Sequence, residues 1–136
     1  MNEPALIAQM LSTPTTIAVI GLSDNPAKPS HAVSAYMQSH GYRILPINPA
    51  ASTILGETCY PDLRSLTLKP HIVNVFRLPQ HIPAIVEEMI ALNLPNLWVQ
   101  LGIHNPEAAL RAEQAGINVI MDRCILIEHR HLMHTS

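Results

Sequence analysis

The chain has little of what marks a secreted, zinc-bound or nucleic-acid-binding protein. Only two of its 136 residues are cysteines, Cys59 and Cys124, and neither lies in a Cys-x-x-Cys or Cys/His finger pattern. Lone cysteines of this kind indicate reduced thiols rather than a disulfide framework or a structural zinc site. Eight Lys and Arg residues stand against ten Asp and Glu residues, for a net charge of −2, and no basic run occurs. This charge pattern argues against a nucleic-acid partner.

Long apolar runs are also missing. No stretch approaches the roughly 18 to 20 residues that a helix needs to cross a bilayer, and no basic region followed by an apolar one opens the chain. We therefore expect a cytoplasmic protein without a membrane partner. A chain of 136 residues that is 48% hydrophobic can bury one substantial core but does not easily divide into two. The sequence thus predicts a single domain over residues 1–136.

A further absence concerns glycine. Gly21 ends the first predicted strand, but the G-x-G-x-x-G pattern of dinucleotide sites would need glycines at Ser23 and Pro26 as well. The second predicted strand runs into Asn48 and Pro49, where a dinucleotide site would place a carboxylate against the ribose. The pattern favours a nucleotide-type fold whose ligand is not NAD.

Apolar runs alternate with helical patterns along the chain, which is typical of a parallel sheet flanked by helices. We predict an α/β fold of the Rossmann-like, doubly wound class, with five parallel strands and helices on both faces. The predicted strands are residues 17–21, 42–47, 71–76, 97–100 and 117–121. The predicted helices lie near residues 5–11, 30–40, 82–90, 106–115 and 123–133, and residues 50–68 form an irregular stretch with one helical turn around 63–66.

The first loop resembles an anion cradle. Residues 18–30 pass from a buried-strand pattern through a small polar loop to a helix start that Ser30 can cap. Such a loop points backbone amides and the positive end of a helix dipole at a bound anion. In a doubly wound sheet, ligands bind beyond the carboxyl ends of the strands. The candidate site therefore comprises residues 22–30, 48–51, 77–78, 100–104 and 122–124.

Seven short stretches spread along residues 15–133 are informative when taken together. They are Gly21-Leu22-Ser23 with Lys28-Pro29-Ser30, Gly41-Tyr42-Arg43-Ile44, Pro46-Ile47-Asn48-Pro49, Ile54-Leu55-Gly56, Val75-Phe76-Arg77, Trp98-Val99-Gln100-Leu101-Gly102 and Asp122-Arg123-Cys124. In this order they resemble a known family, the small stand-alone CoA-binding domain proteins. The likeness is also close to the N-terminal domain of the succinyl-CoA synthetase α subunit.

The resemblance implies a site for coenzyme A or an acyl-CoA. The loop from Gly21 through Ser23, Asp24 and Asn25, together with the helix start at Ser30, would hold the diphosphate. Lys28 and Arg77 would neutralise the phosphate charge, and Asn48 and Pro49 would border the adenine or ribose. Gln100 would hydrogen-bond the pantetheine amides, and Cys124 would lie farther along that groove. Gly102, in the turn after the fourth strand, is also counted among the binding residues.

Two departures from the synthetase pattern limit what the resemblance implies. In the synthetase, a lysine follows the second strand, but the corresponding position in this chain lies near Ala51. Lys28 and Arg77 are therefore the residues available to replace its contact with phosphate. Lys28 also stands where the stand-alone proteins often have an arginine, which gives up bidentate contact with phosphate. The synthetase's phosphorylated histidine belongs to a further domain. We therefore expect binding without catalysis, and no catalytic residue or metal ligand.

Each candidate residue also has a structural interpretation. Arg77 can pair with Asp62 or Glu87, Lys28 can be a solvated loop residue, and Asn48 and Gln100 can be turn or cap residues. Asp122 and Arg123 can form a structural pair, Cys124 can be an incidental thiol, and Trp98 can be a core residue. The three C-terminal histidines, His129, His131 and His134, can be solvated side chains rather than a metal site.

Two other functions remain open from the sequence alone. Cys124 with a nearby histidine would suit an acyl- or thiol-transfer enzyme acting on CoA esters, although no nucleophile elbow or assigned base accompanies it. Alternatively, the domain is a protein-interaction module whose nucleotide crevice is empty. Whether the protein forms a homodimer or serves a partner enzyme is equally open.

Overall fold

Five short parallel strands form the centre of the protein in the computed structural model, which describes residues 2–135. The sheet order is β2-β1-β5-β6-β7, and β3 pairs with β4 in a separate antiparallel hairpin. In chain order the strands are β1 (Thr16–Ile20), β2 (Arg43–Ile47), β3 (Thr53–Ile54), β4 (Glu57–Thr58), β5 (Ile72–Val75), β6 (Asn96–Val99) and β7 (Asn118–Met121). The predicted doubly wound, Rossmann-like α/β fold is confirmed.

Most helices start where the sequence places a proline in a first turn, a position that needs no backbone N–H donor. Asn2 and Asn105 cap two of them by accepting from the amides of Ala5 and Ala108, at 2.9 and 3.1 Å. The helices are α1 (Glu3–Leu11), α2 (Pro29–Ser39), α3 (Ile82–Leu92), α4 (Pro106–Gln114) and α5 (Ile125–Thr135), with 3₁₀ turns at Leu63–Ser65 and Pro79–His81.

Both faces of the sheet are buried under helices. Because successive residues of a strand point to opposite sides, one strand contributes side chains to both faces. Val73 and Val75 of β5 belong to the apolar cluster that α3 and α4 cover. Ile72 and Trp98 belong to the cluster under α1, α2 and α5. The Trp98 side chain is fully buried and its Nε1 donates to the carbonyl of Arg123 at 2.9 Å, so the expectation that Trp98 is a core residue is confirmed.

Two local features differ from the sequence-based expectation. Ser30 does not cap α2, because Pro29 occupies the first turn and Lys28 stands at the N-cap position without a side-chain bond. Residues 50–68 contain the β3–β4 hairpin, turned by Leu55 and Gly56 with φ of 55° and 77°. A strand of two residues is too short to show the alternation of apolar and polar residues from which a strand is predicted. The predicted helical turn is present as the 3₁₀ turn at Leu63–Ser65.

The strand order determines where a ligand crevice opens. After β1 the chain moves outward to β2, then returns to place β5 on the other side of β1. The carboxyl ends of β1 and β5 therefore flank the point at which the order reverses, where doubly wound sheets bind ligands. Within residues 2–135, no helix has the length and apolar character needed to span a membrane.

Candidate functional site

Gly21, at the carboxyl end of β1, lies directly against the segment that follows β5. A Cβ atom at this position would lie 2.9 Å from the carbonyl oxygen of Phe76 and 3.1 Å from Cδ of Arg77. Gly21 also adopts φ of +84°, a left-handed conformation that favours glycine. Glycine is thus required here for two reasons, and its presence brings the β1 loop and the Arg77 side chain to the same place.

The β1 loop, residues 21–28, is held by its own hydrogen bonds. The amide of Ser23 donates to Oγ of Ser30 at 3.0 Å, and the amide of Asn25 donates to Oγ of Ser23 at 3.0 Å. The side chain of Asn25 in turn accepts from the amide of Ala27 at 3.0 Å. The amides of Ser23 and Asn25 are therefore engaged within the loop, so of the amides predicted to hold a diphosphate, that of Asp24 is the one without a protein acceptor among residues 2–135.

Other amides remain available in this segment, among them those of Asp24 and Ser30. Within residues 2–135, the backbone N–H groups of Asp24 and Ser30 donate to no protein group. The Ser30 amide belongs to the first turn of α2, where the partial positive charge of the helix dipole is greatest. The buried Ser30 hydroxyl fixes the loop against the helix, so an anion would meet a preformed set of donors.

Two cations flank this cradle without an acidic partner. Lys28 and Arg77 are both exposed, and neither forms an ion pair within the described part of the chain. The structural alternative for Arg77 does not occur, because Glu87 pairs with Arg111 at 2.9 Å and Asp62 accepts from the amide of Ser65 at 2.9 Å. Both positive charges are therefore available to a ligand.

Asn48, at the end of β2, is committed to the protein itself. Its Nδ2 donates to the carbonyl of Leu22 at 2.9 Å, and its Oδ1 accepts from the amide of Ala50 at 2.8 Å. Asn48 thus ties the β2 turn to the start of the β1 loop, which agrees with the structural interpretation. Pro49 follows it and is exposed at the same edge of the sheet.

Gln100 points into the protein rather than into the crevice. Its side chain is only 4% exposed, and its Oε1 accepts from the amide of Ile125 at 3.0 Å. The oxygen predicted to meet pantetheine therefore caps the start of α5. The neighbouring Gly102 remains exposed, and its amide donates to Oδ1 of Asp122 at 2.7 Å.

The two thiols lie in different places. Cys124 precedes α5 and packs partly buried against the α1, α2 and α5 cluster. Cys59 follows β4, and burial, reinforced by the charge of Asp24, raises its thiol pKa. A raised pKa means less thiolate at neutral pH, so Cys59 is a poor nucleophile.

The three C-terminal histidines do not share a face. His129 is 3% exposed, and its Nδ1 lies 2.9 Å from the hydroxyl of Tyr36, whereas His131 and His134 are exposed. Burial first, and the nearby His40 second, lower the pKa of His129. No group of three potential metal ligands occurs within residues 2–135.

Two exposed leucines at this edge lie in the predicted site segments, but the sequence assigned their side chains no separate contact with the ligand. Leu78 follows β5 and Leu101 follows β6, and each is 61% exposed. The two loops are joined by Asn105, whose Nδ2 donates to the carbonyl of Pro79 at 3.0 Å. Two large apolar side chains at adjacent strand ends make an apolar rim beside the cationic cradle.

A recess elsewhere is less suited to an anionic ligand. A cavity of about 290 Å³ lies between α1 and α5, lined in part by Ile7, Leu132 and Arg123. Arg123 already pairs with Glu3 at 2.8 Å, so its charge is balanced within the protein. Among its described lining residues, this cavity offers no unpaired cation. The crevice at the β1 and β5 ends, by contrast, offers Lys28 and Arg77.

Comparison with known proteins gives a consistent picture. A family model described as a CoA binding domain matches residues 15–130. The uncharacterized protein YneT of Bacillus subtilis (strain 168) is 40% identical over 131 residues, which cover 95% of this chain and 97% of that protein.

Solved structures share the fold. The Thermus thermophilus protein called cell-free ID.343 superimposes with a TM-score of 0.90 at 36% identity, covering 97% of this chain and 99% of that one. The dinucleotide-forming acetyl-coenzyme A synthetase 1 of Ca. Korarchaeum cryptofilum superimposes with a TM-score of 0.71 at 20% identity. This match covers 85% of this chain but 28% of the synthetase, and it shows the fold alone.

Proposed function

Because this chain belongs to the CoA binding domain family, we propose that it binds coenzyme A or an acyl-CoA in the crevice between β1 and β5 without catalysing a reaction on it. Family membership supports the ligand class. A synthetase acting on acetyl-coenzyme A contains a domain of the same fold, which is consistent with that class.

The observation that carries the proposal is the anion cradle. CoA bears a diphosphate and a 3′-phosphate. Among residues 2–135, the crevice offers the unpartnered amides of Asp24, in the β1 loop, and of Ser30, in the first turn of α2. Lys28 and Arg77 add two positive charges that form no ion pair in the same described part of the chain. Backbone donors, a helix dipole and free cations together are suited to phosphate.

The other end of the ligand also finds a matching surface. The pantetheine arm of CoA is long and weakly polar, so it needs an apolar path away from the phosphate site. Leu78 and Leu101 offer such a path at the ends of β5 and β6, the next strands along the edge. The crevice is thus charged at one end and apolar at the other, as CoA is.

The proposed lack of catalysis rests on the surroundings of the thiols. Within residues 2–135, the Cys124 thiol forms no hydrogen bond with a histidine or a carboxylate that would activate it. A nucleophilic cysteine needs such a partner within hydrogen-bond distance. Incubation of the protein with acyl-CoA, before and after alkylation of Cys124, tests this part: we expect no hydrolysis or transfer in either sample, and turnover that alkylation abolishes would contradict it.

The Lys28→Ala/Arg77→Ala variant tests the binding site. Each charged phosphate contact contributes about 1.5–3 kcal/mol, or about tenfold or more in affinity, so we expect the double variant to bind CoA about a hundredfold more weakly. Titration calorimetry at fixed, low salt measures the dissociation constants. The matched control is Arg43→Ala/Lys69→Ala, which removes two exposed positive charges at the opposite edge of the sheet and should leave the affinity unchanged.

The same titration separates the alternatives. If the wild-type protein binds CoA but not NAD, the ligand assignment holds. Equal weakening in both double variants would mean that overall charge, not the cradle, attracts the ligand. If the wild type binds none of CoA, acetyl-CoA, ATP or NAD, the interaction module with an empty crevice becomes the better description.

A further inference from the structure

Asp122 has an unusual backbone conformation at the edge of the candidate site. It follows β7 directly and adopts φ of +62°, in the left-handed region that only a few non-glycine residues occupy. Aspartate tolerates this region because its short polar side chain can bond locally. Its amide donates to the carbonyl of Val99 at 2.9 Å, which fixes the turn against the end of β6.

The carboxylate of Asp122 reaches across to the loop after β6. Its Oδ1 accepts from the amide of Gly102 at 2.7 Å, a short distance expected of a charge-assisted hydrogen bond. We call this contact the Asp122–Gly102 clasp. It joins two residues that are 20 positions apart in the chain but lie at the ends of neighbouring strands.

The clasp restrains the exposed Leu101. On one side of Leu101 stands Gln100, which is buried and bonded to the amide of Ile125 at 3.0 Å. On its other side stands Gly102, which the clasp holds. Leu101 is 61% exposed between these two fixed neighbours, so its position at the rim depends on both contacts.

Leu101 lies where an arm leaving the cradle would pass. Neighbouring strands are about 4.8 Å apart, so the loop after β6 stands roughly one strand beyond the β1 and β5 ends. Leu78, also 61% exposed, precedes it along the same edge. A ligand whose phosphates sit at the β1 loop therefore reaches Leu101 only through the part beyond its diphosphate.

We propose that Asp122 is a positioning residue for the apolar arm of the ligand: its clasp with Gly102 holds Leu101 in place, and so determines how much tighter the complete ligand binds than its phosphate-bearing half. Asp122 acts through Gly102 and Leu101 without contact with the phosphates. This inference rests on the proposed function of the same crevice.

Two ligands test the assignment, CoA and 3′-phosphoadenosine 5′-diphosphate, which keeps all the phosphates but lacks the arm. The informative variant is Asp122→Gly, because glycine accepts the left-handed backbone without strain and removes only the carboxylate. We expect its affinity for CoA to fall about tenfold, as for loss of one well-placed contact, while its affinity for the fragment stays within about twofold of the wild type.

Rescue and control variants complete the design. Asp122→Asn keeps an acceptor oxygen and tolerates the left-handed region, so it should restore CoA affinity to within about threefold. Leu101→Ala should lower the affinity for CoA about as much as Asp122→Gly does. The double variant should bind CoA only slightly more weakly than either single variant, because the effects of coupled residues are not additive. Glu113→Ala, which removes an exposed carboxylate from the far end of α4, should have no effect.

The outcomes are distinguishable. If Asp122→Gly loses affinity for CoA and for the fragment equally, the effect is a general structural one and the inference is overturned. Unchanged affinity for CoA in this variant, or full additivity of its effect with that of Leu101→Ala, would also overturn the inference. Wild-type protein that binds neither ligand would instead refute the proposed function. Titration calorimetry with each ligand, and melting temperatures to confirm folding, provide these readouts.

Discussion

At the scale of single residues, Gly21 sets the width of the crevice. A Cβ atom there would meet the carbonyl oxygen of Phe76 at 2.9 Å, and a backbone oxygen cannot move aside as a flexible side chain can. From the sequence, Gly21 is predicted to be the last residue of the first strand, directly before the loop. The sequence could not show the second constraint, because Phe76 lies 55 positions further along the chain.

Gly21→Ala should therefore destabilise the protein for two reasons. The left-handed backbone costs about 1–2 kcal/mol for a non-glycine residue, and steric displacement of Phe76 adds about 1–3 kcal/mol. Gly116→Ala is the matched control, since Gly116 has φ of +87° but nothing within 4 Å of its Cβ position. Urea denaturation measures both free energies of unfolding, and an equal loss in the two variants would show that the close approach costs nothing.

Residue by residue, the site was only partly predictable. Lys28 and Arg77 are exposed and unpaired in the described chain, in keeping with the ligand-binding role proposed for them from the sequence. Asn48 and Gln100 instead bond to Leu22 and Ile125, which are far from them in sequence. A local pattern shows that a polar residue follows a strand, but not whether its side chain faces the ligand or a neighbouring loop.

At the scale of elements, α2 and α5 meet through a group of rings in which His129 is buried, Tyr36 is partly buried and His40 is exposed. Nδ1 of His129 on α5 lies 2.9 Å from the hydroxyl of Tyr36 on α2, and the ring of His40 lies 5.0 Å from that of His129. Tyr42 packs edge-on at 5.7 Å, and the Arg130 guanidinium lies 5.8 Å from the Tyr36 ring. A proton on His129 would add a buried charge close to the ring of His40.

This packing predicts an acid-dependent loss of stability. The pKa of His129 is lowered in the folded protein, so the unfolded chain binds the proton more readily and the free energy of unfolding decreases as pH falls below about 6.5. Each pKa unit of depression accounts for about 1.4 kcal/mol. Denaturation at pH 7.5 and 5.5 should show a smaller decrease for His129→Asn than for the wild type.

His134→Asn is the control for that experiment, because His134 is exposed on the same helix. It should keep the pH dependence of the wild type. If His129→Asn retains the full decrease as well, another group is responsible for the acid sensitivity.

Element by element, the strands and helices were predictable wherever a pattern is long. The apolar run around β5 and the stripe of α3 each provide several repeats, and the structure places both elements within about two residues of the expected bounds. The β3–β4 hairpin has strands of two residues and escaped detection. Ser30 was misassigned as a cap because Pro29, directly before it, already begins α2.

At the scale of the whole molecule, the strand order converts separate loops into one site. The chain places β1 and β5 side by side although residues 21–71 separate them, so the cradle, Arg77 and the two exposed leucines share one edge. Composition and periodicity predicted the parallel sheet, and the general behaviour of such sheets indicated the edge. Which atoms stay available for a ligand depends on contacts between loops that are distant in the sequence. These contacts exist only in the folded protein.

Binding of CoA phosphates in the β1–β5 crevice can be observed through backbone ¹H–¹⁵N correlation spectra recorded during a CoA titration. We expect the largest shifts at the amides of Asp24 and Ser30, with smaller ones at residues 76–78 and 101–102. An unchanged spectrum at millimolar CoA, or shifts confined to the cavity between α1 and α5, would contradict binding in this crevice.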